Sequence, residues 1–280
     1  MKKKDCSFNL VNSLIEKVDI IDAKQEYYNT PLISACKHGN ERLVNYLIDH
    51  GADIHGKEKE YQTPLTAACA SGNEHIIERL IQCGADINQV DGYYHSPLTV
   101  ACDKRNENLV NQLLKHNANV IGGDNCHRSP LLAACYTRNS SLVKLLIEYG
   151  ANVNDDNITT IIDVNVNTPL NIVCKEIMLY ATHHGLEIER TRNDHHLSLF
   201  DYLEKKKAII KELIKHGADI NKRGKYGFTP LMIACQEQNA DDVALFLKHG
   251  ADVHTLVKNK DGDWDTPLTK VRRFGFQKNS

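Results

Sequence analysis

Proline, methionine and tryptophan are scarce in this 280-residue chain, which holds seven, three and one of them. No apolar run approaches the ~18–20 residues that a bilayer-crossing helix needs, so no membrane span is expected. The basic start, MKKKDCSFNLVNS, lacks the apolar core of a signal peptide. Neither sign of charge is in excess: 34 Lys and Arg face 36 Asp and Glu, for a net charge of −2 and a pI near 6.7. No global field therefore draws the chain to nucleic acid or anionic lipid. Nine cysteines are present but no C-x-x-C, which argues against zinc-finger and thioredoxin readings. A phosphate loop, a G-x-S-x-G elbow, an H-E-x-x-H pair and a Cys/His pair in catalytic context are all missing. No cofactor and no enzymatic activity are expected from what remains.

The few prolines are placed with unusual order. Thr30-Pro31-Leu32, Thr63-Pro64-Leu65, Ser96-Pro97-Leu98, Ser129-Pro130-Leu131, Thr168-Pro169-Leu170, Thr229-Pro230-Leu231 and Thr266-Pro267-Leu268 all read hydroxyl–Pro–Leu, and no proline lies elsewhere. The first four stand 33 residues apart, and the later steps are 39, 61 and 37. One structural unit has been copied along the chain. A second landmark follows 20 residues after most prolines: Gly51-Ala52-Asp53, Gly84-Ala85-Asp86, Gly150-Ala151-Asn152 and Gly250-Ala251-Asp252, with Asn117-Ala118-Asn119 as a variant. Gly217-Ala218-Asp219 has the same composition but lies 48 residues after Pro169.

Between the landmarks the pattern is helical. A Ser or Thr before proline is an N-cap hydroxyl ahead of the first helical position, where the missing N–H costs nothing. That first helix is short and ends near Gly39-Asn40 or Gly72-Asn73. A second helix carries Leu43, Val44, Leu47 and Ile48 on one face of a 3.6-residue period, and Gly51 stops it as a left-handed cap. One such pair cannot bury its apolar face alone, so copies must stack.

The TPL opening, the Gly-Asn turn, the paired aliphatics and the GADIN ending closely resemble the ankyrin repeat over residues 7–275. The resemblance implies an all-α, ankyrin-repeat solenoid of stacked helix pairs with β-hairpin-like fingers. On this register residues 1–29 form an N-terminal capping half-repeat, with Leu10, Val11, Leu14 and Ile15 on a lone second helix. Residues 30–167 hold four repeats, the last with an extended finger. Residues 168–228 hold a repeat with a long helical insertion at about 175–207, residues 229–265 one more repeat, and 266–280 a C-terminal capping half-repeat.

Six cysteines (Cys36, Cys69, Cys102, Cys135, Cys174 and Cys235) stand five residues after a proline, each behind Ala or Val. They read as compact buried hydrophobes, and free buried thiols fit a reducing compartment, cytoplasmic or nuclear, or a host cytosol. His50, His116, His216 and His249 precede the glycine stop, where imidazole suits a helix C-terminus.

The largest break in the period is the step from Pro169 to Pro230. The first helix is expected to run on through KEIMLYATHH, and a new helix to start at Ser198 and continue to His216. Two arrangements fit: a pair of over-long helices joined by GLEIERTRNDHH, or a degenerate extra repeat. His183, His184, His195 and His196, with Asp194, are the only candidates for a transition-metal site, and a solvated loop is the competing meaning.

Aromatics gather where the fingers turn. Tyr28, Tyr61, Tyr94 and Trp264 lie three residues before a proline, and Tyr27, Tyr93, Tyr226 and Phe228 adjoin that position. They are expected either to anchor a partner or to pack as struts on neighbouring fingers. By resemblance to ankyrin binders, the residues six and seven after the proline vary with partner: Lys37, His38, Asp103, Lys104, Tyr136 and Thr137. The leading functional reading is a monomer that binds an unidentified partner protein through finger tips and the concave helix face, without nucleic acid. A metal-dependent regulator or enzyme built on the 175–207 insertion, and a structural repeat protein without a dedicated partner, stand as alternatives.

Overall fold

The computed structural model describes residues 30–56, 62–93, 95–121, 128–156, 168–175, 199–224, 227–258 and 264–269. The chain divides into two compact units, Met1–His127 and Arg128–Ser280.

Among the described residues the first unit contains three helix pairs: α1 (Pro31–Lys37) with α2 (Glu41–Asp49), α3 (Pro64–Ser71) with α4 (Glu74–Gln82), and α5 (Pro97–Asp103) with α6 (Glu107–Lys115). Each pair packs internally, α1 against α3, and α3 against α5. In the second unit α7 (Pro130–Tyr136) pairs with α8 (Ser140–Glu148), α9 (Pro169–Cys174) with α10 (Leu199–Lys215), and α11 (Pro230–Gln236) with α12 (Ala240–Lys248). There α9 lies between α7 and α11, and α10 packs on α8. A two-stranded antiparallel hairpin follows, β1 (Val257–Lys258) with β2 (Trp264–Asp265), pairing Val257 with Asp265 and Lys258 with Trp264. Among the described residues no helix is long and apolar enough to cross a membrane.

Local chemistry explains the elements. The hydroxyl before each proline accepts a hydrogen bond from the backbone N–H three residues on, as at Thr30 (3.3 Å), Ser96 (3.1 Å) and Thr229 (3.3 Å). At Thr63 the cap is reciprocal, because Thr66 Oγ1 accepts in turn from the Thr63 N–H at 2.9 Å. The asparagine that closes the turn between the helices caps the second one: Asn40, Asn73, Asn106, Asn139 and Asn239 each accept from the N–H three residues on, at 3.0–3.2 Å. Gly51 adopts φ +86°, where a Cβ would be strained.

Within their units α3 sits between α1 and α5 and α9 between α7 and α11; α3 is apolar nearly all round, with Leu65, Ala67, Ala68 and Cys69 buried. Second helices bury one stripe, such as Ile76, Ile77 and Leu80 on α4, and leave Glu74, His75 and Gln82 outside. Fingers are bracketed by the last residue of the glycine landmark. Asn88 Oδ1 accepts from Asn119 N at 2.7 Å, Asn154 Oδ1 from Asp219 N at 2.7 Å, and Asn221 Oδ1 from Asp252 N at 2.8 Å.

One expectation fails. The first helix of the interrupted repeat does not run on past 175. It ends at Cys174, and Lys175 is extended (φ −70°, ψ 129°), so the i→i−4 ladder cannot continue. The return helix α10 starts at Leu199 and is nearly twice the length of the other second helices.

Candidate functional site

The positions six and seven after each proline fall at the C-terminal end of the first helix, where the chain turns outward. In the first unit Lys37, His38 and Lys104 are exposed and Asp103 is half-buried. His38 is fixed by its own helix, since Nδ1 donates to Ser34 O at 2.8 Å. In the second unit Tyr136 and Thr137 are half-buried. The Arg128 guanidinium lies 5.3 Å from the Tyr136 ring centroid, within cation–π range. Thr137 Oγ1 donates back to Ala134 O at 3.2 Å. One residue of each of the next two repeats is covered: Lys175 Nζ meets Glu237 Oε1 at 3.2 Å, with both side chains largely covered.

Among the described residues two finger aromatics, Tyr93 and Trp264, are exposed and Phe228 is half-buried. Tyr93, in the first unit, is 50% exposed. Its N–H and that of His95 both donate to Asp91 Oδ1 at 2.9 Å, which folds the finger tip and lays the Tyr93 ring 6.3 Å from the His95 imidazole. Trp264, in the second unit, is 62% exposed and faces out from the hairpin on the same side as Lys258 and Leu256, while Val257 and Asp265 point inward. Gly227 shows how closely fingers pack there: a Cβ on it would stand 3.3 Å from Val257 Cγ2. The candidates Tyr28, Tyr61, Tyr94 and Tyr226 lie outside the described residues, as do His127, Val166 and Tyr27.

The regular cysteines are not reactive groups. Cys36, Cys69, Cys102, Cys135, Cys174 and Cys235 are all buried with free thiols. Burial pushes the Cys36 thiol up to about 12 and raises Cys69, Cys135, Cys174 and Cys235 in the same direction. A thiol held so far from ionisation is a poor nucleophile and metal ligand. Among the described residues no three His, Cys, Asp or Glu side chains are gathered to hold a metal ion. His183, His184, His195, His196 and Asp194 lie outside those residues.

The sequence reading missed a buried polar cluster in the second unit. Lys206 and Asp242 form an ion pair at 2.7 Å, and Arg138 lies 4.9 Å over the Tyr202 ring while its Nη2 donates to Lys175 O at 2.6 Å. A signal was available: Asp242 breaks an apolar position that Leu43, Ile76, Leu109 and Leu142 hold in other repeats.

Comparison with known proteins returns the same repeat. The family model "Ankyrin repeats (3 copies)" matches residues 3–91, 90–157 and 174–257. Human protein phosphatase 1 regulatory subunit 27 is 41% identical over 59 residues, which is 21% of this chain and 37% of that protein; the mouse protein matches equally. The matched stretch thus spans little more than a third of those relatives. The ankyrin repeat protein FPV243 of fowlpox virus (strain NVSL) is 35% identical over 66 residues, 24% of each chain. In three dimensions, the crystal structure of the human ASB11 ankyrin repeat domain aligns with a TM-score of 0.62 at 20% identity, covering 90% of this chain and 99% of that one.

Proposed function

Because this chain belongs to the ankyrin-repeat family, we propose that it is a non-enzymatic module that binds another protein through its first-helix ends and finger tips. The observation that carries the reading is a division of labour inside the repeat. Positions that build the stack are nearly invariant from copy to copy: hydroxyl–Pro–Leu at the start and Ala-Cys or Val-Cys at the fourth and fifth places after proline. Positions at the rim change in every copy, from Lys37-His38 to Ala70-Ser71, Asp103-Lys104 and Tyr136-Thr137. Stacking demands the first set, and draws on the second in the Lys175–Glu237 pair. Varied first-helix ends, with Tyr93 exposed on a finger of the first unit and Trp264 on one of the second, suit specific protein surfaces, since large aromatics give much contact area for little lost rotamer freedom.

Two further points support a protein partner. Likeness to a protein named as a phosphatase regulatory subunit favours action on another macromolecule. Buried thiols with raised pKa are poor nucleophiles, which supports a non-enzymatic reading, and free thiols suit a reducing compartment.

Affinity capture from the native host tests the proposal. The wild-type chain is used beside a rim variant carrying Lys37→Glu, Lys104→Glu, Tyr93→Ala and Trp264→Ala. Proteins enriched by the wild type and lost by the variant, with matching thermal melts, are the expected result. Identical enrichment by both chains would move binding away from this rim.

A further inference from the structure

Second helices in this chain start from a fixed place. Eleven residues before the landmark that ends each one stands a capping asparagine: Asn40 before Gly51, Asn73 before Gly84, Asn106 before Asn117, Asn139 before Gly150 and Asn239 before Gly250. Eleven residues before Gly217 the chain has Lys206 instead. No cap is needed there, because α10 runs on for seven more residues toward its N-terminus.

The first helix of the same repeat ends at Cys174, with Lys175 extended. In the five intact repeats the carbonyl of the buried cysteine accepts from the N–H three residues on. Gly39 donates to Cys36 O (3.0 Å), Gly72 to Cys69 O (3.2 Å), Arg105 to Cys102 O (3.0 Å), Arg138 to Cys135 O (3.1 Å) and Gln238 to Cys235 O (3.2 Å). In the interrupted repeat Cys174 O accepts from the Lys206 ammonium, at 3.2 Å. A side chain from the return helix does what a backbone amide does elsewhere.

That ammonium is only 1% exposed, so its charge needs an anion. Asp242 Oδ2 supplies one at 2.7 Å. Asp242 occupies the third residue of α12, the place of Leu43, Ile76, Leu109, Leu142 and Ile209. Two departures from the repeat, each costly alone, meet in one buried contact. The junction has two more ties: Arg138 Nη2 donates to Lys175 O from the preceding repeat, and Glu237 binds Lys175 Nζ from the following one.

We infer that the buried pairing of Lys206 with Asp242, made where Lys206 also holds the Cys174 carbonyl, locks the interrupted repeat to the one after it. Moving α10 off α9 strips the ammonium from Asp242 and leaves a carboxylate in an apolar slot. The pairs α9–α10 and α11–α12 therefore open as one step. Either partner alone is a liability, whereas replacing both by apolar side chains of similar size restores the arrangement of the other repeats.

The test uses the full chain with Lys206→Met, Asp242→Leu and both together, read by denaturant unfolding and by hydrogen exchange resolved to α10 and α12. Each single change is expected to speed exchange in both helices about a hundredfold or more, the scale of a broken buried pair. The double variant is expected to return to within about tenfold of the wild type, or to exchange more slowly. Should a single variant fail to fold, the double variant decides, since a folded double supports the lock and an unfolded one overturns it. Effects that simply multiply in the double variant would also overturn it. So would faster exchange in α10 alone after Lys206→Met.

Discussion

The cysteine five residues after six of the seven prolines is a core residue. Cys36, Cys69, Cys102, Cys135 and Cys174 are almost wholly excluded from water, where Ala or Ser would leave a gap or an extra hydroxyl to satisfy. The ionisation of these thiols gives a pH prediction. In the folded chain Cys36 sits at about 12, up from 9.0, and Cys69, Cys135 and Cys174 are pushed the same way by loss of water. Once unfolded they ionise near 9.0, so above that pH the unfolded state holds fewer protons than the folded one. The stability they confer is complete below pH 9 and is lost as pH rises toward 12. Denaturant midpoints are expected to fall between pH 8 and about 10.5, and less steeply in a Cys36→Ala/Cys69→Ala variant; parallel slopes would contradict the assignment. The buried setting of these cysteines was legible because their register follows proline directly. Lys206 was harder to see, since its partners Cys174 and Asp242 come from other helices and only the offset from Gly217 marks its place.

At the level of elements, each intact pair depends on the asparagine between its helices. Asn106 bonds the Leu109 N–H at 3.0 Å with its side chain, and its own N–H donates to Ala101 O at 3.2 Å. Asn106→Ala keeps the second bond and loses the first, so it is expected to cost about 1 kcal/mol, while Asn106→Asp costs little. Denaturant unfolding of the two variants checks this, and equal losses would show that the cap is not the cause. Helix starts were readable from hydroxyl–Pro–Leu, and second helices from their 3.6-residue stripe. The end of α9 was not, because KEIMLYATHH has acceptable helix propensity and nothing local stops it. Tertiary contacts end it: Arg138 takes the Lys175 carbonyl and Glu237 takes its ammonium, which together hold Lys175 extended. Longer-range contacts override propensity here.

For the whole molecule, the repeat was written plainly enough to give the family, but the partner was not, because stacking constrains the core and leaves the rim to whatever it binds. Of the rim residues named from sequence, Lys37, His38, Lys104, Tyr93 and Trp264 are exposed. Tyr136 is half-covered, and Arg128 lies over its ring. The sequence offered anchors and struts equally for the finger aromatics. Exposure of 50% for Tyr93 and 62% for Trp264 favours anchors for these two, since a strut hides most of its ring. The central claim is that this rim binds. Its most direct measurement is the affinity of Tyr93→Ala and Trp264→Ala chains for a captured partner, taken beside their melting temperatures. Binding is expected to weaken by ~2 kcal/mol or more for an anchoring ring, roughly thirtyfold, with melting nearly unchanged. Full affinity in a stable double variant would contradict the account.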